Sequence, residues 1–332
     1  MLDYIDYANK VLLLYPISYT QIEFIRHNEN MIFKIIDDNK KESYVLRIHK
    51  SKVIGFSGLQ HTYPCLKSEM EYLEHLAKDT SLTVQAPIHT CKGELVAISM
   101  DEETKEPLYS TLLKWLDGNT LNVSEEILDD IIFTFGANVA KLHMGSMSFK
   151  PSNEFKRPSY SIEDLELAMK KLEYGIEVEL FDAEQYKLMT EVAERVIDNL
   201  KILDKRSNAW GLIHADYQPG NIIVNNGDLS FIDFCLSGYG YYLFDLGSAG
   251  TIIKSEKRNI FLDGYASILP FSLDDLVYID SLIFYDCFIS YNLFIQDADN
   301  RGWIKKSAEK LCKDFFPKFL NGETVFYLFY FK

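Results

Sequence analysis

The sequence predicts an α+β chain of two lobes, a strand-rich first third followed by a larger and mostly helical part. Up to about residue 112, short runs of aromatic and β-branched residues alternate with polar turns, whereas from residue 124 apolar residues recur at helical spacing. Of the 332 residues, 47% are hydrophobic, which is enough to bury one large core or two adjoining ones. The sequence has no internal repeat, low-complexity segment or flexible linker, so a short hinge between the lobes is expected.

The first lobe is predicted to contain a β-meander, one main helix and two further strands. The strands are expected at residues 20–26, 31–36, 44–49, 95–100 and 108–113, and the helix at residues 66–78. In the helix, Leu66, Met70 and Leu73 recur at the spacing of one helical face.

The second lobe is predicted to consist of long amphipathic helices around one loop and a short β-ribbon. Helical patterns begin at Ser124 and end near His143, and recur over residues 183–203 and 273–294. This places the first lobe at residues 1–113, the hinge at 114–118 and the second lobe at 119–332. Two segments, 51–64 and 150–157, are expected to be mobile loops near the cleft, and the aromatic run 325–331 is expected to pack on the body or in a dimer contact.

Composition restricts the kind of partner and the compartment. Lys and Arg total 34 and Asp and Glu total 49, so the formal charge of −15 argues against nucleic acid or an anionic membrane and suits a cationic small molecule. The five cysteines are scattered, which indicates neither a disulfide framework nor a zinc site, and a reducing cytoplasm is the simplest expectation. The N-terminus lacks the basic region of a secretory signal, and no apolar run reaches the roughly 20 residues that span a bilayer.

The most informative stretch is HADYQPGN at residues 214–221, followed by FIDF at residues 231–234. Asp216 and Asn221 lie five positions apart on one loop, so a base facing an acceptor hydroxyl and a magnesium ligand facing phosphates can come from the same turn. Asp233 supplies a second hard oxygen for the metal. The spacing therefore predicts a phosphoryl-transfer site in which Asp216 is catalytic and Asn221 and Asp233 bind Mg²⁺.

Further motifs extend this pattern over nearly the whole chain: YVLRI at 44–48, SEMEYL at 68–73, LKWLDG at 113–118, VAKLH at 139–143, YLFDL at 242–246 and FLDGY at 261–265. In their order and spacing, the motifs resemble those of the aminoglycoside phosphotransferase and choline kinase superfamily. The resemblance implies the bilobal protein-kinase-like fold, with a small β-rich N-terminal lobe that has one main helix and a larger, mostly helical C-terminal lobe.

The resemblance also assigns nucleotide-binding residues. Arg47 lies where kinases usually place a lysine, and Glu69 lies where the helix supplies its ion-pair partner. The nucleotide-covering turn at residues 27–30 has no glycine but ends in Asn30, which matches an asparagine common in the family. Lys114, Trp115 and Leu116 would form the hinge that meets the purine edge. The alternatives are an ordinary salt bridge for Arg47 with Glu69 and simple hinge packing for Trp115.

Other residues are assigned supporting roles. His214 and Asp245 are expected to brace the catalytic loop from the core rather than to do chemistry. Tyr285 and Tyr291 are expected to be core residues rather than parts of a cation-binding cage. The sequence leaves open which acidic residue of the C-terminal helices, if any, faces the cleft: Asp274, Asp275, Asp280 or Asp286.

The expected activity is Mg²⁺-dependent transfer of the γ-phosphate of ATP, or of GTP, to a hydroxyl of a small and amine-bearing molecule. An aminoglycoside is the family's namesake substrate, and the amino alcohols homoserine, choline and ethanolamine are comparable alternatives, since the catalytic-loop motifs do not read the acceptor. A hypothesis from another class is a catalytically silent pseudokinase that serves as a scaffold. Monomer and homodimer both stay open.

Overall fold

The structure is a computed structural model that describes residues 4–27, 30–49, 59–101, 105–124 and 126–329. Residues 51–58 of one predicted loop, Asn28 and Glu29 of the nucleotide-covering turn, and the last residues of the aromatic run, Tyr330 and Phe331, lie outside the described residues. In the part of the chain that is described, no helix combines the length and the apolarity needed to cross a membrane.

The N-terminal lobe is a five-stranded antiparallel sheet with two helices. Its elements are α1 (Tyr4–Leu12), β1 (Gln21–His27), β2 (Asn30–Asp37), β3 (Glu42–His49), α2 (Tyr63–Asp79), β4 (Ala97–Met100) and β5 (Pro107–Lys114), with the strand order β1-β2-β3-β5-β4. All five predicted strands and the predicted helix are present with shifts of a few residues at their ends. Helix α1, which the sequence analysis did not predict, packs Tyr7, Val11 and Leu12 into the core on one face of the sheet.

The C-terminal lobe is mostly helical, as predicted. Its helices are α3 (Asp129–Ser148), α4 (Ile162–Leu172), α5 (Tyr174–Glu177), α6 (Ala183–Leu203), α7 (Tyr242–Thr251), α8 (Arg258–Ala266), α9 (Leu276–Phe294), α10 (Arg301–Asp314) and α11 (Phe316–Leu320). Its strands are β6 (Asn119–Thr120), β7 (Trp210–Ile213), β8 (Ile222–Asn225), β9 (Asp228–Phe231) and β10 (Gly238–Tyr241), which form a β6-β8-β9 sheet and a β7-β10 pair. Helices α4, α5, α8, α10 and α11 were not predicted individually.

The chain leaves the first sheet at the end of β5 and enters the second at β6, where Asn119 pairs with Val224 of β8. Between them, Gly118 has a φ of 135°, and a Cβ there would lie 2.6 Å from the carbonyl oxygen of Val224. Only glycine fits this crossing without strain.

Helix α2 belongs to the N-terminal lobe by its place in the sequence, but its apolar face packs on the C-terminal lobe. Its buried residues Leu66, Met70, Leu73 and Leu76 join the large apolar core of the C-terminal lobe, not the smaller core under α1. The helix is therefore fixed against the elements that carry the catalytic loop.

The C-terminal aromatic run packs on the body, which was one of its two predicted places. Val325, Phe326 and Phe329 are buried. The buried carboxylate of Asp280 accepts hydrogen bonds from the backbone N–H groups of Val325 at 3.2 Å and Phe326 at 2.7 Å, and the Arg258 guanidinium donates to the carbonyl of Phe329.

Candidate active site

The loop between β7 and β8 holds Asp216 in a fixed orientation. Asn221 donates from Nδ2 to the Oδ2 atom of Asp216 at 2.8 Å and to its backbone carbonyl at 3.1 Å. Gln218 donates from Nε2 to Oδ1 at 2.8 Å. Two amide donors thus aim at the carboxylate and set its plane.

The same hydrogen bonds orient Asn221 for a metal. The NH₂ group of Asn221 donates to Asp216, so the Oδ1 atom of Asn221 points away from Asp216. The backbone N–H of Ile232 donates to the Asn221 carbonyl at 2.9 Å, which brings Asp233 alongside. An amide oxygen and a carboxylate are hard ligands, and Mg²⁺ is typically held by one or two such groups together with substrate phosphates and water. The donor set thus fits Mg²⁺.

The core braces this loop through one buried carboxylate. Asp245, at the start of α7, accepts from the backbone N–H groups of His214 at 2.9 Å and Ala215 at 3.0 Å, and it pairs with His143 Nε2 at 3.0 Å. These bonds support Ala215 in a left-handed conformation with a φ of 63°, which a residue with a side chain adopts only where its surroundings enforce it.

The His214 ring forms hydrogen bonds with both segments of the candidate site, the loop that carries Asp216 and the strand end that carries Asp233. Its Nε2 atom donates to the carbonyl of Ile232 at 3.1 Å, and its Nδ1 atom accepts from the backbone N–H of Asp216 at 3.3 Å. Burial lowers the pKa of His214, so the ring is neutral at physiological pH and fits this donor and acceptor pattern. The bonds of His214 and Asp245 are those that the predicted bracing role requires.

In the N-terminal lobe, Arg47 and Glu69 form a buried ion pair, with Arg47 Nη2 lying 2.6 Å from Glu69 Oε1. Burial works to lower the pKa of Arg47, but the charges of Glu69 and Asp233 outweigh it and the net shift is upward. Arg47 and Asp233 line the same cavity, so Arg47 lies on the side of the candidate metal site. Glu69 is behind Arg47, away from the cleft cavity.

A chain of hydrogen bonds connects Arg47 with Asn30. Arg47 donates from Nε to the hydroxyl of Thr111 at 3.2 Å, that hydroxyl meets His49 Nε2 at 3.1 Å, and His49 Nδ1 meets the Oδ1 atom of Asn30 at 3.1 Å. Burial and the charge of Arg47 lower the pKa of His49 well below its usual range, so the ring is neutral and donates through Nδ1 only. Asn30 thus lies at the cleft end of this chain.

The cleft between the lobes contains a cavity of about 1430 Å³. Among the predicted site residues, it is lined by Asn30, Arg47, Asp216, Asn221 and Asp233. Two further cations, which sequence reasoning missed, line the cavity: Lys254, and Arg26 on β1, whose Nη2 atom lies 3.8 Å from Asp233 Oδ2. A lone arginine at the end of a predicted strand gave no signal for this position.

The predicted hinge residues lie outside this cavity. The backbone N–H groups of Lys114 and Trp115 donate to the carbonyls of Ala86 at 2.8 Å and Ser43 at 2.9 Å, so they are already engaged. The Lys114 ammonium pairs with Glu42 at 2.7 Å, and the Trp115 ring packs under the Lys34 ammonium. For the predicted purine contact, Leu116 therefore offers a better backbone donor than Lys114 or Trp115.

Of the four acidic residues that the sequence left open, Asp286 is the one that lines the cleft cavity. It lies half-buried on α9, lines the cavity, and accepts a hydrogen bond from Ser290 at 3.4 Å. Burial, followed by the charge of Asp216, raises its pKa to about 7. The other three candidates lie elsewhere: Asp274 is exposed, Asp275 pairs with Arg206 at 2.6 Å, and Asp280 holds the C-terminal run.

The helical wall of the cavity, which carries Asp286, also has an exposed aromatic residue. Trp303 on α10 lines the cavity with 47% of its surface exposed, and its ring lies edge-on to that of Tyr291 at 5.4 Å. Tyr285 and Tyr291 are buried, which confirms that they belong to the core. Trp303 was missed because a lone tryptophan in an unassigned stretch has no pattern.

The prediction of a mobile loop at residues 150–157 is wrong at its end. Arg157 is buried, and its guanidinium donates to four backbone carbonyl groups, which fixes the segment against α2 and the turn after Asp233. Sequence reasoning took a polar stretch between helices for a loop, but an arginine with several backbone acceptors can be buried at little cost.

Comparison with known proteins agrees with this site. The sequence model of the phosphotransferase enzyme family matches residues 21–269. Amicoumacin kinase of Bacillus subtilis (strain 168) is 24% identical over 233 residues, which are 70% of this chain and 63% of that protein. The chain therefore aligns with somewhat less than two thirds of this relative.

Two solved structures have the same fold over almost the whole chain. A microcompartment-associated aminopropanol kinase superposes with a TM-score of 0.77 at 20% identity, covering 96% of this chain and 98% of its own. An amicoumacin kinase in complex with AMP-PNP, Ca²⁺ and Ami superposes with a TM-score of 0.74 at 19% identity, covering 94% of each chain. These likenesses confirm the predicted bilobal kinase-like fold.

Proposed function

Since this chain belongs to the phosphotransferase enzyme family, we propose that it is a small-molecule kinase that transfers the γ-phosphate of a nucleotide to a hydroxyl of an amine-bearing acceptor. The observation that carries the proposal is the presence of two carboxylates with different surroundings in one cavity, Asp216 and Asp286. Asp216 is held by amide donors beside the candidate metal ligands, and Asp286 lies on the opposite, helical wall.

Asp216 is proposed to act on the acceptor hydroxyl. Its carboxylate orients the O–H group and takes its proton while the hydroxyl oxygen forms a bond to the γ-phosphorus, and the bond from that phosphorus to the bridging oxygen of the leaving diphosphate breaks. Gln218 and Asn221 fix the carboxylate during this step, so its orientation does not have to be found in each turnover.

Asn221 Oδ1 and the carboxylate of Asp233 are proposed to hold Mg²⁺. Bound there, the ion would bridge phosphate oxygens and offset the negative charge that grows on the leaving nucleotide. Arg47, fixed by Glu69, and Arg26 are the cations of the N-terminal lobe that line the cavity beside them, and Asn30 lies at its edge. We propose that these three residues contact the phosphates.

The donor nucleotide is ATP or GTP, with the base at the hinge. Lys114 and Trp115 would support the hinge through the Glu42 pair and the Lys34 contact, and the Leu116 amide would meet the purine edge. The AMP-PNP in the complex of the similarly folded amicoumacin kinase supports an adenine nucleotide.

The acceptor is proposed to carry an ammonium group. An ionised Asp286 would pair with it, and the exposed face of Trp303 would attract the same charge. The cavity of about 1430 Å³ is larger than the roughly 300–1,000 Å³ of typical small-ligand sites and favours an acceptor of antibiotic size next to the phosphates. The second candidate is a small amino alcohol, which the fold likeness to the aminopropanol kinase supports.

A pseudokinase scaffold is the weaker hypothesis, because the hydrogen bonds that orient Asp216 and Asn221 would have no purpose in a protein without catalysis. Location in the cytoplasm and a monomer or homodimer state fit the proposal, and no nucleic acid or membrane partner is proposed.

The proposal is tested by nucleotide consumption with Mg²⁺ and either ATP or GTP. The acceptor panel should contain amicoumacin, aminoglycosides, aminopropanol, homoserine, choline and ethanolamine. Acceptor-dependent turnover in the natural protein that is lost in Asp216→Asn is the expected result. If Mg-nucleotide neither is consumed nor raises the melting temperature, the scaffold hypothesis replaces the kinase.

A further inference from the structure

Arg157 joins the two lobes at a point behind the candidate active site. It lies between α3 and α4, and its side chain is inserted between helix α2 and the turn after Asp233. Four carbonyl groups accept its hydrogen bonds: Cys65 in the first turn of α2 at 3.0 Å, and Phe234 at 2.6 Å, Cys235 at 2.7 Å and Ser237 at 2.7 Å in the turn.

Arg157 also meets the ion pair of the N-terminal lobe. Its Nη1 atom lies 3.8 Å from Glu69 Oε2, while Glu69 Oε1 bonds to Arg47 at 2.6 Å. Glu69 thus lies between two arginines, of which one faces the cleft and the other faces the turn after Asp233. The Arg157 guanidinium therefore contacts Glu69, which supports Arg47, and also contacts the turn that follows Asp233.

Only arginine suits this position. The guanidinium offers five N–H donors in one plane, and here Nε, Nη1 and Nη2 are aimed at different carbonyls. A lysine would keep the charge but could not hold the same planar arrangement. The support matters for Asp233, whose backbone has a left-handed φ of 63° and depends on its surroundings to stay there.

We propose that Arg157 is a positioning residue that fixes the Asp233 carboxylate and the Arg47–Glu69 pair relative to each other, so that Mg-nucleotide meets a preformed site. The inference rests on the proposed function. Arg157 is not proposed to touch substrate, and it acts through the turn at residues 234–237 and through Glu69.

The test compares Arg157→Lys with Arg258→Lys. Arg258 is a matched control because it is also buried and donates to backbone carbonyls, and the two acceptors described for it, Ile253 and Phe329, lie neither in α2 nor in the turn after Asp233. Melting temperature is measured in excess AMP-PNP over a series of Mg²⁺ concentrations. In Arg157→Lys, half-maximal stabilisation is expected to need about ten-fold more Mg²⁺, because loss of groups that orient a metal ligand typically costs 10–100-fold in metal affinity. Arg258→Lys should lower the melting temperature without this shift.

An unchanged Mg²⁺ requirement in Arg157→Lys, together with a loss of melting temperature like that of the control, would reduce Arg157 to ordinary packing and overturn the inference. Failure of the proposed function is seen in the unmutated protein instead, as no stabilisation at any Mg²⁺ concentration with either AMP-PNP or the corresponding GTP analogue, and it overturns both.

If Arg157→Lys does not fold, amide hydrogen exchange of the unmutated protein decides. Segments 65–69 and 234–237 should then open with one common free energy, because one side chain links them. Independent opening of the two segments would contradict the inference.

Discussion

The two sides of the cleft are built differently. On the phosphate side, Asp216 accepts bonds from two amides, and Arg47 is buried against Glu69 and Thr111. On the acceptor side, Asp286 has one long hydrogen bond from Ser290 at 3.4 Å, and Trp303 is 47% exposed. The proposed function thus assigns the chemistry to side chains that several hydrogen bonds hold, and acceptor recognition to side chains with fewer contacts, so that one catalytic frame would suit many acceptors.

The largest effect is expected on the rigid side. Asp216→Asn should lower kcat by about 10²- to 10⁴-fold, because asparagine keeps the size of the side chain but cannot take the proton of the acceptor hydroxyl. KM for nucleotide should change little. Steady-state kinetics against Asp274→Asn, an exposed aspartate before α9, provides the control. Turnover within ten-fold of the unmutated protein would remove Asp216 from the reaction.

On the adaptable side, Asp286→Asn should raise KM for a cationic acceptor about ten-fold at pH 8 and leave kcat within a few-fold, because loss of one charge pair costs about 1–2 kcal/mol. The pKa of Asp286 is raised to about 7 by burial and then by Asp216, so the carboxylate of the free protein is protonated below that pH. KM of the unmutated protein should therefore rise as pH falls through 7, and KM of the variant should not. If KM has the same pH dependence in the unmutated protein and in the variant, Asp286 does not form a charge pair with the acceptor.

Asp286→Asn should stabilise the folded protein, although it weakens acceptor binding. Because the pKa of Asp286 in the folded state is above its ordinary value, ionisation disfavours the folded state, and the penalty grows from about pH 4 until it is complete above pH 7. Asp286→Asn should therefore raise the free energy of unfolding at pH 8 by about 2 kcal/mol, a linkage value reduced for partial exposure. Denaturant unfolding at pH 4 and pH 8 measures the difference, which should vanish at pH 4. A gain that is equal at both pH values would assign it to packing.

The smallest effect is expected for Trp303→Leu. Its exposed ring offers a cation–π contact of about 0.5–1 kcal/mol, so KM for an amine-bearing acceptor should rise about three-fold. A neutral acceptor of the same shape serves as the control, and its KM should rise less. If KM rises equally for both acceptors, the ring contributes only apolar contact.

The sequence could predict residues on the phosphate side of the cleft better than residues on the acceptor side. That Asp216, Asn221 and Asp233 lie together could be predicted because a loop and a hairpin fix their spacing along the chain, and helix α2 could be predicted because its apolar residues repeat. Asp286 could not be chosen among four acidic residues, since helix α9 is buried almost all round and shows no polar face. Arg26, Arg157 and Trp303 depend on contacts between distant elements, which leave no local pattern.

Helix α2 ties the folding of the two lobes together. Its apolar face is completed by residues of the C-terminal lobe, so a fragment ending at the hinge would expose Leu66, Met70, Leu73 and Leu76 to water. The smaller core under α1 cannot cover that surface, since it lies on the other face of the sheet. We therefore expect the two lobes to unfold as a single cooperative unit, and a chain divided at the hinge should not yield two folded domains.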